Sequence, residues 1–121
     1  MNMNNYPEIP EKKIFEENLK FDEVMESALK NYDSLTKMQK RHLMEKLIKL
    51  AENSDEMWKA EEFAKKMYYA LTKNQNKAII SKLIGFSDSD LIRVKNYAEE
   101  TDLVLFYLNK LTENEIGKVF T

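Results

Sequence analysis

The feature that most constrains the fold is a stretch of sequence that recurs 36 residues later. LTKMQKRHLMEKLIKL begins at Leu35, and LTKNQNKAIISKLIGF begins at Leu71. Each contains Thr-x-x-Gln, a capping box in which the threonine hydroxyl and the glutamine side chain accept hydrogen bonds from orphan N–H groups at a helix start. The pattern recurs at Thr112 and, in a weaker form, at Ser87. These caps predict four helix starts.

Apolar residues at steps of three and four place the helices between the caps. The run LVLFYL at 103–108 is interpreted as helix, because no second strand is predicted to pair with it, and a bend is expected near Thr101-Asp102. The predicted helices lie near residues 22–33, 37–52, 55–70, 73–84, 88–110 and 113–120.

The recurrence extends to the residues that a folded helix would bury. Shifting the apolar face of the 37–52 helix by 36 residues reproduces an apolar face in the 73–84 segment, and the next helices match at a shift of 34. The paired core positions are Leu43 with Ile79, Met44 with Ile80, Leu47 with Leu83, Ile48 with Ile84, and Leu50 with Phe86. This pattern favours duplicated helical hairpins. The alternative is that amphipathic helices of similar composition align without duplication.

The chain of 121 residues has the length of one domain. Residues 1–20 predict a flexible N-terminal arm, because Pro7 and Pro10 interrupt an Asn-rich start with little to bury. Residues 21–121 predict a single helical domain. The expected fold class is all-α: a compact bundle of about five or six helices, with two stacked helical hairpins flanked by half units as a variant of it.

The residues offer little for catalysis, so we expect a protein that is not an enzyme and has no cofactor or small-molecule substrate. There is no Cys, no Gly-rich phosphate loop and a single histidine. His42 and Glu45 share a helix face but give two ligands, whereas a zinc site needs three or four. The acidic loop SDSD at 87–90 lacks the glycine and distal glutamate of a calcium loop. We interpret it as a helix start.

No stretch predicts a membrane interaction. The longest apolar run, at 103–108, is six residues long, whereas a spanning helix needs roughly 20. The N-terminus MNMNNYPEIP lacks a basic start and an apolar core, so it does not resemble a secretory signal. We expect a cytoplasmic protein. Its high Asn, Lys and Ile content is a hint of an AT-rich source, such as a viral or mobile-element genome.

An excess of aromatic residues favours a protein-binding role. Six Tyr, six Phe and one Trp are many for so small a core, and adjacent pairs cannot all face one interior. Aromatic residues are typical anchors of protein interfaces. The predicted function is a small non-enzymatic binding module, either an adaptor, inhibitor or regulator, that contacts a partner protein or another copy of itself. The predicted partner-binding residues are Trp58, Tyr69, Phe106 and Tyr107.

A nucleic-acid-binding regulator is the alternative. Residues 34–95 carry 13 basic and 8 acidic side chains, between ends that are net acidic. Lysines could contact phosphates, but the chain has only two arginines, which are the usual readers of base edges. Helices 36–49 and 73–82 would supply the contacts. The candidate residues are Lys37, Lys40, Arg41, Lys46, Lys49, Lys73 and Lys77.

Overall fold

The computed structural model describes residues 19–120, which form α-helices and 3-10 helices with no strand among them. The all-α prediction is confirmed, with seven α-helices instead of five or six. The predicted arm lies outside the described residues except for Leu19 and Lys20, and Leu19 packs against the core. The helices are α1 (Phe21–Asn31), α2 (Lys37–Leu50), α3 (Ser54–Met67), α4 (Lys73–Gly85), α5 (Leu91–Glu100), α6 (Val104–Lys110) and α7 (Glu113–Val119).

Three of the four predicted caps are confirmed, and they start α2, α4 and α7. The hydroxyls of Thr36, Thr72 and Thr112 accept from the backbone N–H three residues later at 3.1, 3.1 and 3.2 Å. In return, each threonine N–H donates to the Gln or Glu side chain at that position. Each helix therefore begins where its own sequence satisfies two otherwise unpaired donors.

The cap predicted at Ser87 is wrong. Helix α5 starts later, because Asp90 is its cap and accepts from the Arg93 N–H at 3.1 Å. The preceding residues bind neighbouring elements instead of continuing a helix. Asp88 accepts from the Ser54 hydroxyl at 2.8 Å, and the Ser89 hydroxyl donates to the carbonyl of Leu83.

The long helix predicted over 88–110 is two helices, divided where the bend was expected. Asp102 adopts a left-handed conformation with φ of 59°. Its N–H donates to the carbonyl of Glu99 at 3.2 Å, and the Leu103 N–H donates to that of Ala98 at 2.7 Å. This pair of bonds is a Schellman motif, which ends a helix by satisfying its last carbonyls. Because Leu103 and Ala98 are both buried, the motif also joins the break to the core.

The paired core positions of the two hairpins have the same burial. Leu43 and Ile79 are both fully buried, as are Leu47 and Leu83. Met44 and Ile80 match as well, whereas the pairs at Ile48 and Leu50 are only partly buried in both hairpins. One apolar cluster includes buried residues from α1 to α6, so these six helices share a single core.

The hairpins α2–α3 and α4–α5 stack on each other. Helix α4 contacts both helices of the first hairpin, and polar bonds join the two hairpins at both ends. At one end, the Gln75 amide donates to the carbonyl of Arg41 at 2.7 Å, and the Arg41 guanidinium donates to the carbonyl of Ala70 at 2.7 Å. At the other end, the Lys82 ammonium donates to the carbonyl of Ile48. The burial that allows this contact lowers the pKa of Lys82.

Candidate interaction surfaces

One of the four predicted partner-binding residues, Tyr107, is not on the surface. It is fully buried, and its hydroxyl donates to the carbonyl of Leu91 at 2.6 Å. The prediction was wrong because adjacent residues of α6 face different ways. Leu105 is 77% exposed, so the solvent-facing side of this helix is occupied by a neighbour of Tyr107.

Trp58 is half-buried, and one of its faces is already covered. The guanidinium of Arg93 lies 4.2 Å from the centre of the indole ring. The same guanidinium donates to Glu61 at 2.9 Å and to Glu62 at 3.3 Å. Since Glu61 is fully buried, Arg93 compensates its charge while stacking on Trp58, a contact known as a cation–π interaction. This cluster joins α3 to α5, so Trp58 has a structural role in the packing of these two helices.

Tyr69 is 68% exposed, in the short 3-10 helix Tyr68–Ala70 between α3 and α4. The Lys40 ammonium donates to its hydroxyl at 2.8 Å and lies over the rings of both Tyr69 and Tyr32. The hydrogen bond from Lys40 lowers the pKa of Tyr69 and raises that of Lys40 itself. Tyr69 therefore remains an accessible aromatic residue, with a cation held beside it.

Phe106 is half-buried beneath two cations. The ammonium groups of Lys77 and Lys110 lie 5.3 and 5.2 Å from its ring centre. Phe120, which was not among the predicted residues, is exposed and lies 4.6 Å from the Lys95 ammonium. Partly exposed aromatic rings in this protein are thus repeatedly paired with cations.

The seven basic candidates for nucleic-acid binding differ in whether their side chains already contact other parts of the protein. Lys40, Arg41 and Lys77 have the intramolecular contacts given above. Lys46 is half-buried, whereas Lys37, Lys49 and Lys73 are exposed. Lys37 and Lys73 are the first residues of α2 and α4, whose first turns contain no acidic residue. Positive charge there opposes the helix dipole, so these two lysines do not stabilise the helix starts.

Within residues 19–120, no group of three or more His, Cys, Asp or Glu side chains is arranged to hold a metal ion. His42, expected on the solvent side of α2, is half-buried. The acidic loop at 87–90 has structural bonds instead: Asp88 binds Ser54, and Asp90 caps α5.

The described surface contains a groove of about 400 Å3, and the sequence did not predict it. It lies where the end of α4 and the 86–90 loop meet the start of α5 and the helix α7. Its apolar lining comprises Ile84, Phe86, Leu91, Ile92 and Val119, and its polar lining comprises Ser87, Ser89, Asp90, Glu115 and Lys118. These residues come from segments up to 35 positions apart, so only the packing of α7 on α5 assembles them.

The charges of the two groove carboxylates both act on one buried residue, Tyr107. Burial, with the charges of Glu115 and Asp90, raises the pKa of Tyr107 to about 12. Both carboxylates also accept backbone bonds at helix starts, since Asp90 caps α5 and Glu115 completes the Thr112 capping box. Their positions in the groove lining are therefore fixed by the same bonds that begin the helices.

A second surface, also unpredicted as a unit, lies at the other end of α4. We call it the basic end, and it comprises Lys37, Met38, Arg41, Tyr69 and Lys73. Met38 is 55% exposed, and its sulfur lies 3.8 Å from an Arg41 guanidinium nitrogen. The Arg41 bond to Ala70 places the starts of α2 and α4 side by side. The basic end therefore combines an exposed apolar side chain with several cations.

No protein-family model, curated protein or solved structure matches the chain. In the part of the chain that the structure describes, none of the helices combines the length and apolar character needed to cross a bilayer.

Proposed function

We propose that this protein is a non-enzymatic protein-binding module, acting as an adaptor, inhibitor or regulator in the cytoplasm, and that its main docking site is the groove. The observation that carries this proposal is the combination of apolar and charged side chains in the lining of one open concave site. Interfaces typically have an apolar centre surrounded by polar groups. Ile92, which lines the groove and is 55% exposed, provides apolar surface for a partner to cover.

The aromatic residues support the proposal in a different way from the one first expected. Trp58 and Phe106 have partly covered faces and contribute to the fold, and Tyr107 is buried. Tyr69 alone among the four retains a large exposed surface. A partner would therefore meet Ile92 at the groove and Tyr69 at the basic end, which are separate sites.

The proposal can be tested with a photo-crosslinking residue placed at the groove rim, at Ser87, in the cells that make the protein. We expect a reproducible crosslinked partner with the otherwise wild-type chain and loss of it with Ile92→Asp. The matched control is Leu105→Asp, because Leu105 is even more exposed but lies outside the groove. If no partner depends on Ile92, or if both substitutions act equally, the groove is not the docking site.

Nucleic-acid binding is retained as a second candidate, because Lys37 and Lys73 place exposed positive charge at two helix starts where it opposes the dipole. Phosphate groups at the same helix starts would be stabilised by both the lysines and the backbone N–H groups. This candidate predicts gel-shift binding that weakens steeply with salt and is lost in Lys37→Glu/Lys73→Glu. A flat titration at low salt would eliminate it.

A further inference from the structure

The groove and the basic end are complementary surfaces on opposite ends of the same helix. Lys73 begins α4 at the basic end, while Ile84 near its other terminus lines the groove. A helix of 13 residues spans roughly 20 Å, so one copy cannot bring its own two surfaces together. They can meet only between different molecules.

The groove and the basic end are complementary in charge, and each also has apolar side chains. The basic end presents the exposed thioether chain of Met38 beside the ammonium of Lys37. Methionine is unbranched and adapts readily to irregular apolar sites. The groove lining offers apolar side chains together with the carboxylates of Asp90 and Glu115, which outnumber its one ammonium, that of Lys118. The basic end thus supplies an apolar side chain with cations, and the groove supplies apolar side chains with a net negative charge.

We propose that the groove binds the basic end of a second copy of this chain, with Met38 contacting the apolar side chains of the groove and Lys37 facing Asp90 and Glu115. This inference deepens the proposed function, on which it rests, by naming the occupant of the groove. The contact is heterologous, since the surface used by one copy differs from that used by the other. Such contacts build rings or open chains, so association grows with concentration.

The charge of the groove can be changed without disturbing its helices, which makes the inference testable. Asp90→Asn keeps a good helix cap, and Glu115→Gln preserves the capping box. We call this double substitution the neutral-groove variant. Lys37→Glu/Met38→Asp places acidic residues in the first turn of α2, where they suit the helix dipole. We call it the reversed-end variant.

Sedimentation velocity over a range of concentrations measures the association. The wild-type protein should show a weight-average sedimentation coefficient that rises with concentration and falls with added salt, because salt screens the charge contacts. The neutral-groove and reversed-end variants should each remain monomeric. Lys118→Glu removes the one basic group in the groove lining. This variant should associate more strongly with the wild-type protein than the wild-type protein does with itself. Glu113→Gln, outside that lining, is the control and should change nothing.

Mixing the two variants distinguishes a heterologous contact from a symmetric one. The neutral-groove variant retains a basic end, and the reversed-end variant retains a groove, so an equimolar mixture should form a heterodimer and nothing larger. Circular dichroism must show that both variants remain folded. Tryptophan fluorescence of Trp58 during chemical denaturation provides a second check of their stability.

Three results would overturn the inference: wild-type protein that is monomeric at every concentration, association unaffected by both variants, or a mixture that stays monomeric. If the wild-type protein is monomeric and a crosslinked partner still depends on Ile92, the proposed function stands and only the identity of the occupant is wrong. If neither is found, both fail. Association that is lost in the reversed-end variant but kept in the neutral-groove variant would place the contact elsewhere and also overturn the inference.

Discussion

At the scale of single residues, Asp102 shows how one backbone angle divides a helix. An L-residue in the left-handed region is strained, although Asp tolerates it better than most. Glycine has no such cost and is the preferred residue at this position of a Schellman motif. The strain at Asp102 is therefore compensated by the bonds and buried contact that the motif provides.

We predict that Asp102→Gly stabilises the protein by about 0.5–1 kcal/mol, because glycine removes the left-handed strain. Asp102→Val should have the opposite sign, since a β-branched residue fits this region poorly. Chemical denaturation measures both. As a control, Lys59→Gly in the middle of α3 should destabilise by about 1 kcal/mol. Equal loss of stability from glycine at both sites would contradict this account of the break.

Tyr107 gives a prediction about alkaline pH. Its pKa is raised to about 12 in the folded protein, above the ordinary value of 10.0, so the unfolded chain loses this proton first as pH rises. The neutral phenol contributes its full stability below pH 10, and that contribution is lost as pH rises toward 12. Wild type should therefore lose stability over this window.

The variant Tyr107→Phe isolates this effect. At neutral pH it should be about 1 kcal/mol less stable, because the hydrogen bond to the carbonyl of Leu91 is missing. Above pH 10 its stability should fall less steeply than that of wild type, since the buried phenol is gone. Urea denaturation at a series of pH values measures the difference. If the stabilities of the variant and of wild type fall in parallel above pH 10, Tyr107 is not the cause of the alkaline loss of stability.

At the scale of helices, the cluster of Arg93, Glu61 and Trp58 holds α3 against α5. Removing one member of a fully buried ion pair costs roughly 3–5 kcal/mol, because a charge remains buried without compensation. Arg93 is 32% exposed and Lys65 also lies 3.6 Å from Glu61. We therefore expect a smaller loss, about 2 kcal/mol, for Arg93→Ala.

The double variant Glu61→Leu/Arg93→Ala tests the cause of that loss. It should recover much of the stability, because no charge is left in the core. Lys65→Ala is the comparison and should cost less than about 1 kcal/mol, as is usual for a partly exposed ion pair. If the double variant is less stable than Arg93→Ala alone, the loss comes from the missing contact with Trp58 and not from the buried charge.

The first turn of α4 provides a prediction in which a substitution raises the stability of the protein. Lys73→Glu should stabilise the protein by about 0.3–1 kcal/mol, because a negative charge suits the positive end of the helix dipole. Lys49→Glu, in the last turn of α2, should destabilise it by a similar amount. Thermal denaturation at low salt measures both. The same trend from both substitutions would show that general surface charge matters more than position in the helix.

The sequence predicted those elements whose causes are local. The boxes at Thr36, Thr72 and Thr112 depend on residues three positions apart, and apolar spacing alone identified core residues such as Leu43 and Ile79. It misplaced the start of α5 because Ser87 and Asp90 carry almost equivalent cap signals. The choice between them depends on bonds to distant residues, including that from Ser54 to Asp88.

At the scale of the whole molecule, surfaces were harder to predict than the core. Tyr107 and Phe106 are adjacent, and LVLFYL is apolar on every side, so the spacing did not show which ring is buried. The groove exists only because α7 packs on α5, and the basic end only because Arg41 reaches Ala70. Such surfaces combine residues from helices far apart in the sequence, and no short sequence window contains them.

The distribution of charge also has meaning only for the folded molecule. The linear pattern places net positive charge between two acidic ends. Folding brings Lys37 and Lys73 to one end of the hairpin stack and Asp90 with Glu115 to another. A modest imbalance along the sequence thereby becomes two opposed surfaces, which is the basis for the association proposed above.

The side chain of Gln75 has a consequence for how the molecule opens. Its oxygen closes the cap of α4, and its nitrogen donates to the carbonyl of Arg41 in the second turn of α2. The start of one hairpin is therefore completed by the backbone of the other. Unravelling either hairpin would cost the second one a bond, so we expect amide hydrogens in both to exchange with solvent through a shared opening event, as one cooperative folding unit.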